Sequence, residues 1–373
     1  MKKFMFIVFI TVLALTVSAC TGSGDVVKIG VIGPLTGELS IYGSAVENGA
    51  KLAAKEINAA GGLLGKDIEI IAYDTEGDNE KAVNAYNRLV DQDEVVAIVG
   101  GTLSGSTLSF KDLAVADGIP LLTPTATNPD VTLNAPNVFR ACYTDSYQGT
   151  VAALFAMDDL DAQKAAVYYN IDDAYSEGLA MAFVDAFDAA SVTVDEFTFT
   201  DGTDDYNATL TQIKNGNYDV VFVPSYVDSV GPILTQARAL GFGDTKFIGG
   251  DGWDGIEVDY DTVAEGTYFG NHYAKTDTAE NVVSFVASYT AEYDKAPNAL
   301  GALAYDAVYA LVAAIENADS LESADIVAAL QVLEYNDAVT GAIKFDENGD
   351  PIKAITIIQV VGGQHVVVKK VQG

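Results

Sequence analysis

The sequence predicts an α/β protein of two lobes, each a mainly parallel sheet covered by helices. Three observations carry that prediction. Short apolar runs that read as buried strands alternate with longer segments whose apolar residues recur at helical spacing. The alternation comes in two series, one before and one after Asn137-Val138-Phe139-Arg140, with further helices beyond Glu280. Finally, 373 residues, 49% of them hydrophobic, are too many for one ordinary core.

The chain opens with Lys2 and Lys3, an apolar run from Phe4 to Val17, then Ser18-Ala19-Cys20. That is the pattern of an export leader over residues 1–19, too short for the ~20 residues a membrane span needs. Val17 to Cys20 resembles a lipobox, so Cys20 is expected to become the N-terminus and carry lipid. Residues 20–25 then serve as a flexible tether. Later runs read as too short or too interrupted to cross a membrane.

In the first series, Val27 to Gly33 is a strand, and Gly43 to Ala60 a helix with Val46, Ala50, Ala53 and Ile57 on one face. Ile68 to Tyr73 is a strand, and Asp78 caps a helix reaching Val90. Val95 to Val99 forms a strand that stops at Gly100-Gly101, and a helix-like segment follows to Asp117. Ile119 to Leu122 is the next strand, ending in Thr123-Pro124-Thr125-Ala126-Thr127-Asn128-Pro129. Parallel strands finish at one edge, so the loop with Thr102, Ser104, Ser106 and Thr107 should lie beside the loop with Thr125 and Thr127. That edge is where open α/β sheets bind ligands. A helix starting at Ser104 would aim its positive end there, which suits a small carboxylate.

The second series has helices at Tyr147 to Met157, Ser176 to Ala189, around Tyr206, Leu210 and Ile213, and at Ser229 to Leu240. Its strands are Ala165 to Tyr169, Val192 to Thr200, Asp219 to Val223 and Phe247-Ile248, the last running into Gly249-Gly250-Asp251-Gly252-Trp253. Helices at Glu280 to Tyr293, Ala299 to Glu316 and Ala324 to Leu333 precede a hairpin-like end with Asn348-Gly349 as its turn.

Composition and motifs exclude several classes. Asp and Glu total 53 against 20 Lys and Arg, a net charge of −33, and loss of the leader removes two lysines and no acid. Such a surface repels nucleic acid and anionic headgroups. No phosphate-cradling glycine motif occurs, and His272 and His365 have no H-E-x-x-H or Cys/His cluster around them, so neither cofactor nor metal is expected. Ser104 has no evident base, and the pairs Asp172-Asp173 and Asp204-Asp205 read as helix caps. Nothing asks for an enzyme. With Cys20 assigned to lipid, Cys142 has no disulfide partner and reads as a small buried hydrophobe.

From about Val26 to Val360 the chain resembles the periplasmic leucine/isoleucine/valine-binding proteins, the solute-binding components of amino-acid ABC importers. The resemblance rests on I-G-V-I-G-P-L-T-G, the G-G-T-L-S turn, I-P-L-L-T-P-T-A-T-N-P-D-V-T, F-R…D-S-Y-Q-G, A-Y-S-E-G-L-A, L-A-Y-D-A-V-Y and F-D-E-N-G-D. It implies the type I periplasmic binding fold, two Rossmann-like lobes joined by a three-crossover hinge. One lobe would be residues 26–143 plus 273–340, the other 144–272 plus 341–373.

The same resemblance implies a clamp for an amino acid. Ser104 would donate to the ligand carboxylate beside the Thr127 N–H, while the Thr125 carbonyl and the Thr127 hydroxyl accept from the ammonium. Asp251 would face that ammonium, Tyr175 and Tyr226 would close over the ligand, and Tyr42 would flank its side chain. Asp251 and Tyr42 stand where the best-known binder has a longer Glu and a Trp, and that protein's disulfide is absent here. The function so implied is capture of a small amino acid, branched-chain or similar, outside the membrane and delivery to an ABC permease. The alternatives are a sensing or regulatory lipoprotein of the same fold, or a binder of an amide or another small solute.

Overall fold

The computed structural model describes residues 26–243 and 245–373; the expected leader, the lipid site at Cys20 and the tether lie outside them. The first series becomes β1 (Val27–Gly33), α1 (Ser40–Ala60), β2 (Ile68–Asp74), α2 (Asn79–Asp91), β3 (Ala97–Ile98), α3 (Ser104–Asp117), β4 (Leu121–Thr123) and β5 (Val138–Arg140). The strands pair in parallel in the order β2-β1-β3-β4-β5. β1 is buried at every position but Lys28, as a strand covered on both faces must be, and apart from that lysine its sequence is apolar. Asp78 caps α2 as expected, accepting the Lys81 N–H at 2.8 Å.

The second series becomes α4 (Asp145–Leu154), which runs into a π-helical turn at Phe155–Asp159, then β6 (Lys164–Asn170), α5 (Ala174–Ala189), β7 (Thr193–Phe199), α6 (Asn207–Gly216), β8 (Val220–Phe222), α7 (Val227–Leu240), β9 (Lys246–Gly249), α8 (Ile256–Ala264) and β10 (Tyr268–Asn271). α9 (Glu280–Tyr293), α10 (Ala299–Ala318) and α11 (Ser323–Gln331) return to the first lobe. β11 (Glu334–Tyr335) and β12 (Ile343–Lys344) form a small ribbon, and β13 (Ile355–Val361) and β14 (Gln364–Val371) complete the second sheet, ordered β14-β13-β10-β9-β8-β6-β7. Among the described residues the chain therefore passes between the two lobes three times, after β5, after β10 and after β12.

Three expectations need correction. The loop at Asn348-Gly349 does turn, with the Asp346 N–H donating to the Asp350 carbonyl and Phe345 bridging Pro351. The segment beyond it does not fold back on β12, however. β13 instead pairs antiparallel with β10 and β14, and the hairpin proper closes at Gly362-Gly363, both at positive φ. β14 gave no signal because it is largely exposed and so lacks the apolar alternation that marks a half-buried strand. Short β5 and β10 and the kinked α8 were not anticipated either, being too brief or irregular for a period to register. Thirdly, α10 is long and apolar enough by composition to cross a membrane, contrary to the reading of the later runs, but most of its surface is buried inside the molecule, which makes it a core helix.

Burial of α10 depends on its close crossing with α1. A Cβ on Gly49 would lie 2.0 Å from the Gly301 carbonyl oxygen, so only glycine permits the two backbones to meet there. The third crossing is anchored by buried charge. Asp306 on α10 accepts the Val339 and Thr340 N–H groups at 2.7 and 2.8 Å, and Lys353 donates to Thr340 Oγ1 at 2.6 Å and to the Gly341 carbonyl at 3.0 Å. These ties fix how the two sheets face each other, and the loops at the C-terminal ends of their strands meet in a cleft.

Candidate functional site

On the first lobe the two hydroxyl-rich loops lie side by side, as parallel pairing of β3 with β4 requires. The Thr123 hydroxyl donates to the Gly101 carbonyl at 2.7 Å, and the Thr125 hydroxyl to the Thr102 carbonyl at 2.6 Å. Ser104, the first residue of α3, accepts the Asn128 N–H at 3.3 Å, which leaves its own hydroxyl hydrogen to donate. Gly101 makes the sharp turn at φ 75°, where a Cβ would strike Thr107. The second loop is held from beneath by Arg140, which is fully buried and donates to the Ala126 carbonyl at 2.9 Å, the Asn128 carbonyl at 3.0 Å and Thr132 Oγ1 at 2.8 Å. Its Nε pairs with Asp350 at 2.5 Å.

On the second lobe, Asp251 follows β9 in a single 3₁₀ turn and is almost fully buried. One oxygen accepts from Gln148 Nε2 and from the Tyr175 hydroxyl, each at 3.0 Å; the other contacts His272 Nε2 at 2.9 Å. Burial pushes this carboxyl up, but the contacts with His272, Gln148 and Tyr175 outweigh burial and hold it below the ordinary aspartate value. Burial also holds His272 below its usual value despite the neighbouring acid. The imidazole is therefore neutral near pH 7, and the contact is a hydrogen bond from Nε2–H rather than an ion pair. In that tautomer Nδ1 is an acceptor, and it has no partner.

The two lobes are joined across the cleft by Tyr42 on α1. Its hydroxyl donates to the Gly252 carbonyl at 2.5 Å and accepts the Val227 N–H at 2.8 Å, both from the second lobe. Its ring leans on Tyr226, 5.3 Å between centroids, and Tyr226 stacks on Tyr175 at 4.8 Å. Tyr42, Thr125, Tyr175, Tyr226 and Asp251 thus line one small cavity with Thr102. It holds only about 20 Å³, little more than one water requires. A larger guest needs the tyrosine rings or the lobes to move apart. Outside it the cleft widens to a groove of about 630 Å³ whose walls include Asp172, Asp173, Asp201 and Asp228.

Of the seven clamp residues that the resemblance implies, five line the cavity. Ser104 and Thr127 do not line it, although both are buried in the loops that form its first-lobe wall. The Thr127 hydroxyl lies beside the Asp145 carboxylate. Sequence reasoning missed Gln148, which holds Asp251 through both its side-chain amide and, at 2.7 Å, the Asp251 N–H. It also missed His272, considered only as a metal ligand, and Asp145. The signal for Gln148 and Asp145 lay in D-S-Y-Q-G, where the spacing of three puts both on one face at the head of α4. Asp173 caps α5, accepting the Ser176 N–H at 2.8 Å, as read. Cys142 is buried with its thiol 3.5 Å from the Ala126 carbonyl, and burial pushes that thiol well up.

Chemically the cleft offers hydroxyl and amide donors on one wall, a buried carboxylate opposite and aromatic faces between them. Among the described residues no group of three or more His, Cys, Asp and Glu stands ready to hold a metal.

A family model described as periplasmic binding protein matches residues 26–364. The chain belongs to that family. A Leu/Ile/Val-binding protein of Rhizobium johnstonii is 34% identical over 330 residues, 87% of this chain and 88% of the relative. The Leu/Ile/Val-binding protein of Escherichia coli is 30% identical over 329 residues, again 87% and 88%. Among solved structures, a leucine-binding protein from Thermotoga maritima superposes with a TM-score of 0.88 at 33% identity, covering 93% of this chain and 99% of its own. A branched-chain amino-acid transporter substrate-binding protein from Streptococcus pneumoniae, in complex with isoleucine, gives 0.88 at 30% identity, covering 94% and 100%. This periplasmic binding protein therefore has the type I fold of two lobes around a cleft, binds a solute rather than transforming one, and works outside the cytoplasm.

Proposed function

We propose that this periplasmic binding protein captures a small amino acid, branched-chain or similar, between its lobes and delivers it to an ABC permease while lipid on Cys20 tethers it to the membrane. The observation that carries the reading is that one cleft sets the first-lobe hydroxyl loops, which reach the cavity through Thr102 and Thr125, opposite the Asp251 carboxylate, with Tyr42, Tyr175 and Tyr226 between. Donors suit a carboxylate, acceptors an ammonium, and aromatic faces an aliphatic side chain. The names of the relatives point to the same ligand class. Closure follows by mass action, because a ligand touching both lobes stabilises the closed arrangement in which Tyr42 reaches Gly252 and Val227.

Calorimetry of residues 26–373 against each of the twenty L-amino acids tests the binding step. Heat is expected with leucine, isoleucine or valine, and silence with all twenty rejects the assignment. The tether is tested separately: Cys20→Ser is expected to move the full-length protein from the membrane to the soluble fraction or to leave its leader uncleaved. An unchanged distribution and an unchanged mass count against lipid at that position.

A further inference from the structure

The passages that join the lobes form a pocket of their own, about 420 Å³, apart from the ligand cleft. Its walls come from the second passage at His272 and Asp277, from the third at Thr340 and Lys353, and from Lys370 near the end of β14. Two lysines thus converge in a chain whose acids outnumber its bases by 53 to 20. Among the described residues neither pairs with a carboxylate. The Lys353 ammonium is buried and meets only neutral oxygens: Thr340 Oγ1 at 2.6 Å, the Gly341 carbonyl at 3.0 Å and the Thr340 carbonyl at 3.5 Å. Asp306 is one hydroxyl away, accepting from the same Thr340 Oγ1 at 2.6 Å. Burial lowers Lys353 to about 8 in spite of the Asp306 charge. A buried cation without a direct counter-charge is costly.

The acid on the wall, Asp277, is engaged locally, its Oδ1 accepting the Ala279 N–H at 3.0 Å. Ala279 and Asn281 bring the head of α9 to the pocket, and no side chain caps that end, so the positive pole of the helix adds to the two lysines. His272 lines the same pocket, while its Nε2 meets Asp251 on the wall of the cleft cavity at 2.9 Å. One imidazole therefore stands between pocket and cleft.

We propose that this pocket is a second binding site, for a small oxyanion held by Lys353 and Lys370, and that its occupancy is linked to the cleft through His272 and Asp251. The oxyanion gives Lys353 the direct counter-charge that the fold withholds. Because two of the three passages form the walls, an occupant braces the lobes in the arrangement in which Tyr42 reaches Gly252 and Val227, and the cleft then holds its own ligand more tightly.

The test titrates the protein with sodium sulfate and, separately, with sodium acetate, by calorimetry at an ionic strength held constant with sodium chloride. Saturable heat is expected with one of them, sulfate marking an inorganic oxyanion and acetate a carboxylate; none with either overturns the site. Lys370→Gln is expected to weaken that binding by about fivefold. Lys353→Met should weaken it by about thirtyfold or more. Lys369→Gln should leave it unchanged, because Lys369 pairs with Asp159 outside the pocket. Equal weakening in all three variants is a general effect of charge and overturns the site. Should Lys353→Met fail to fold, the contrast between Lys370→Gln and Lys369→Gln decides alone. The linkage is read with leucine, and only this arm rests on the amino-acid reading of the cleft. Saturating anion is expected to tighten leucine by about fivefold or more. Unchanged leucine affinity overturns the linkage, whereas a protein that binds anion but no amino acid supports the pocket and rejects the proposed function.

Discussion

Replacing Arg140 by alanine is expected to destabilise the protein by about 3–5 kcal/mol, the range for breaking a buried ion pair from one side. The guanidinium is fully buried and joins two segments far apart in sequence. It donates to the carbonyls of Ala126 and Asn128 and to Thr132 within the cleft-facing loop, and it pairs with Asp350 in the chain's third passage between lobes. Alanine would strand those carbonyls and leave Asp350, which also accepts from Thr132 Oγ1 at 2.8 Å, without its cation. Denaturant unfolding of residues 26–373 reads the effect as a lower midpoint. A loss under about 1 kcal/mol would mean that the pair behaves as a surface ion pair and that the loop is positioned by something else. Because the loop carries Thr125 and Thr127, amino-acid affinity should fall along with stability.

Asp251→Ala is expected to weaken every bound amino acid by a similar large factor. Removing one partner of a buried charged group costs about 2–5 kcal/mol, roughly thirtyfold to several-thousandfold in affinity. The uniformity follows from the part of the ligand concerned, since the ammonium is common to all amino acids. The structure adds a second route to the same loss: without Asp251, the Tyr175 hydroxyl, the Gln148 amide and His272 Nε2 each lose an acceptor, so the aromatic wall loosens as well. A panel of dissociation constants checks this, and values within about threefold of the parent, under roughly 0.7 kcal/mol, would show that the cleft holds something without an α-ammonium. Stability should respond to pH in a defined direction. The folded-state pKa of Asp251 is lowered, so its contribution is present above the unfolded aspartate value and is lost as pH falls through the folded one. Melting temperatures of parent and variant should therefore converge in acid.

Much of the fold was legible in the sequence because burial leaves a local signature. β1 is found over Val27–Gly33 and α9 over Glu280–Tyr293, and the Asp78 cap sits where its side chain can meet Lys81 N. The juxtaposition of the two hydroxyl loops was legible too, since parallel strands must end at one edge. β14, exposed along most of its length, left no such signature, and β13 therefore seemed to pair across Asn348-Gly349.

The sequence by itself determined the alternating α/β order, the two lobes, the glycine and hydroxyl character of the first-lobe wall and, through the family's motifs, Tyr42, Tyr175, Tyr226 and Asp251 as residues of one cleft. Only the tertiary structure decided what those side chains do to one another. Tyr42 bonds to Gly252 and Val227, His272 meets Asp251, and Gln148 holds Asp251 through both its carboxylate and its N–H. The reason is physical: periodicity reports which face of an element is buried, whereas the partner of a buried polar group is set by how three passages of the chain bring two separate sheets together.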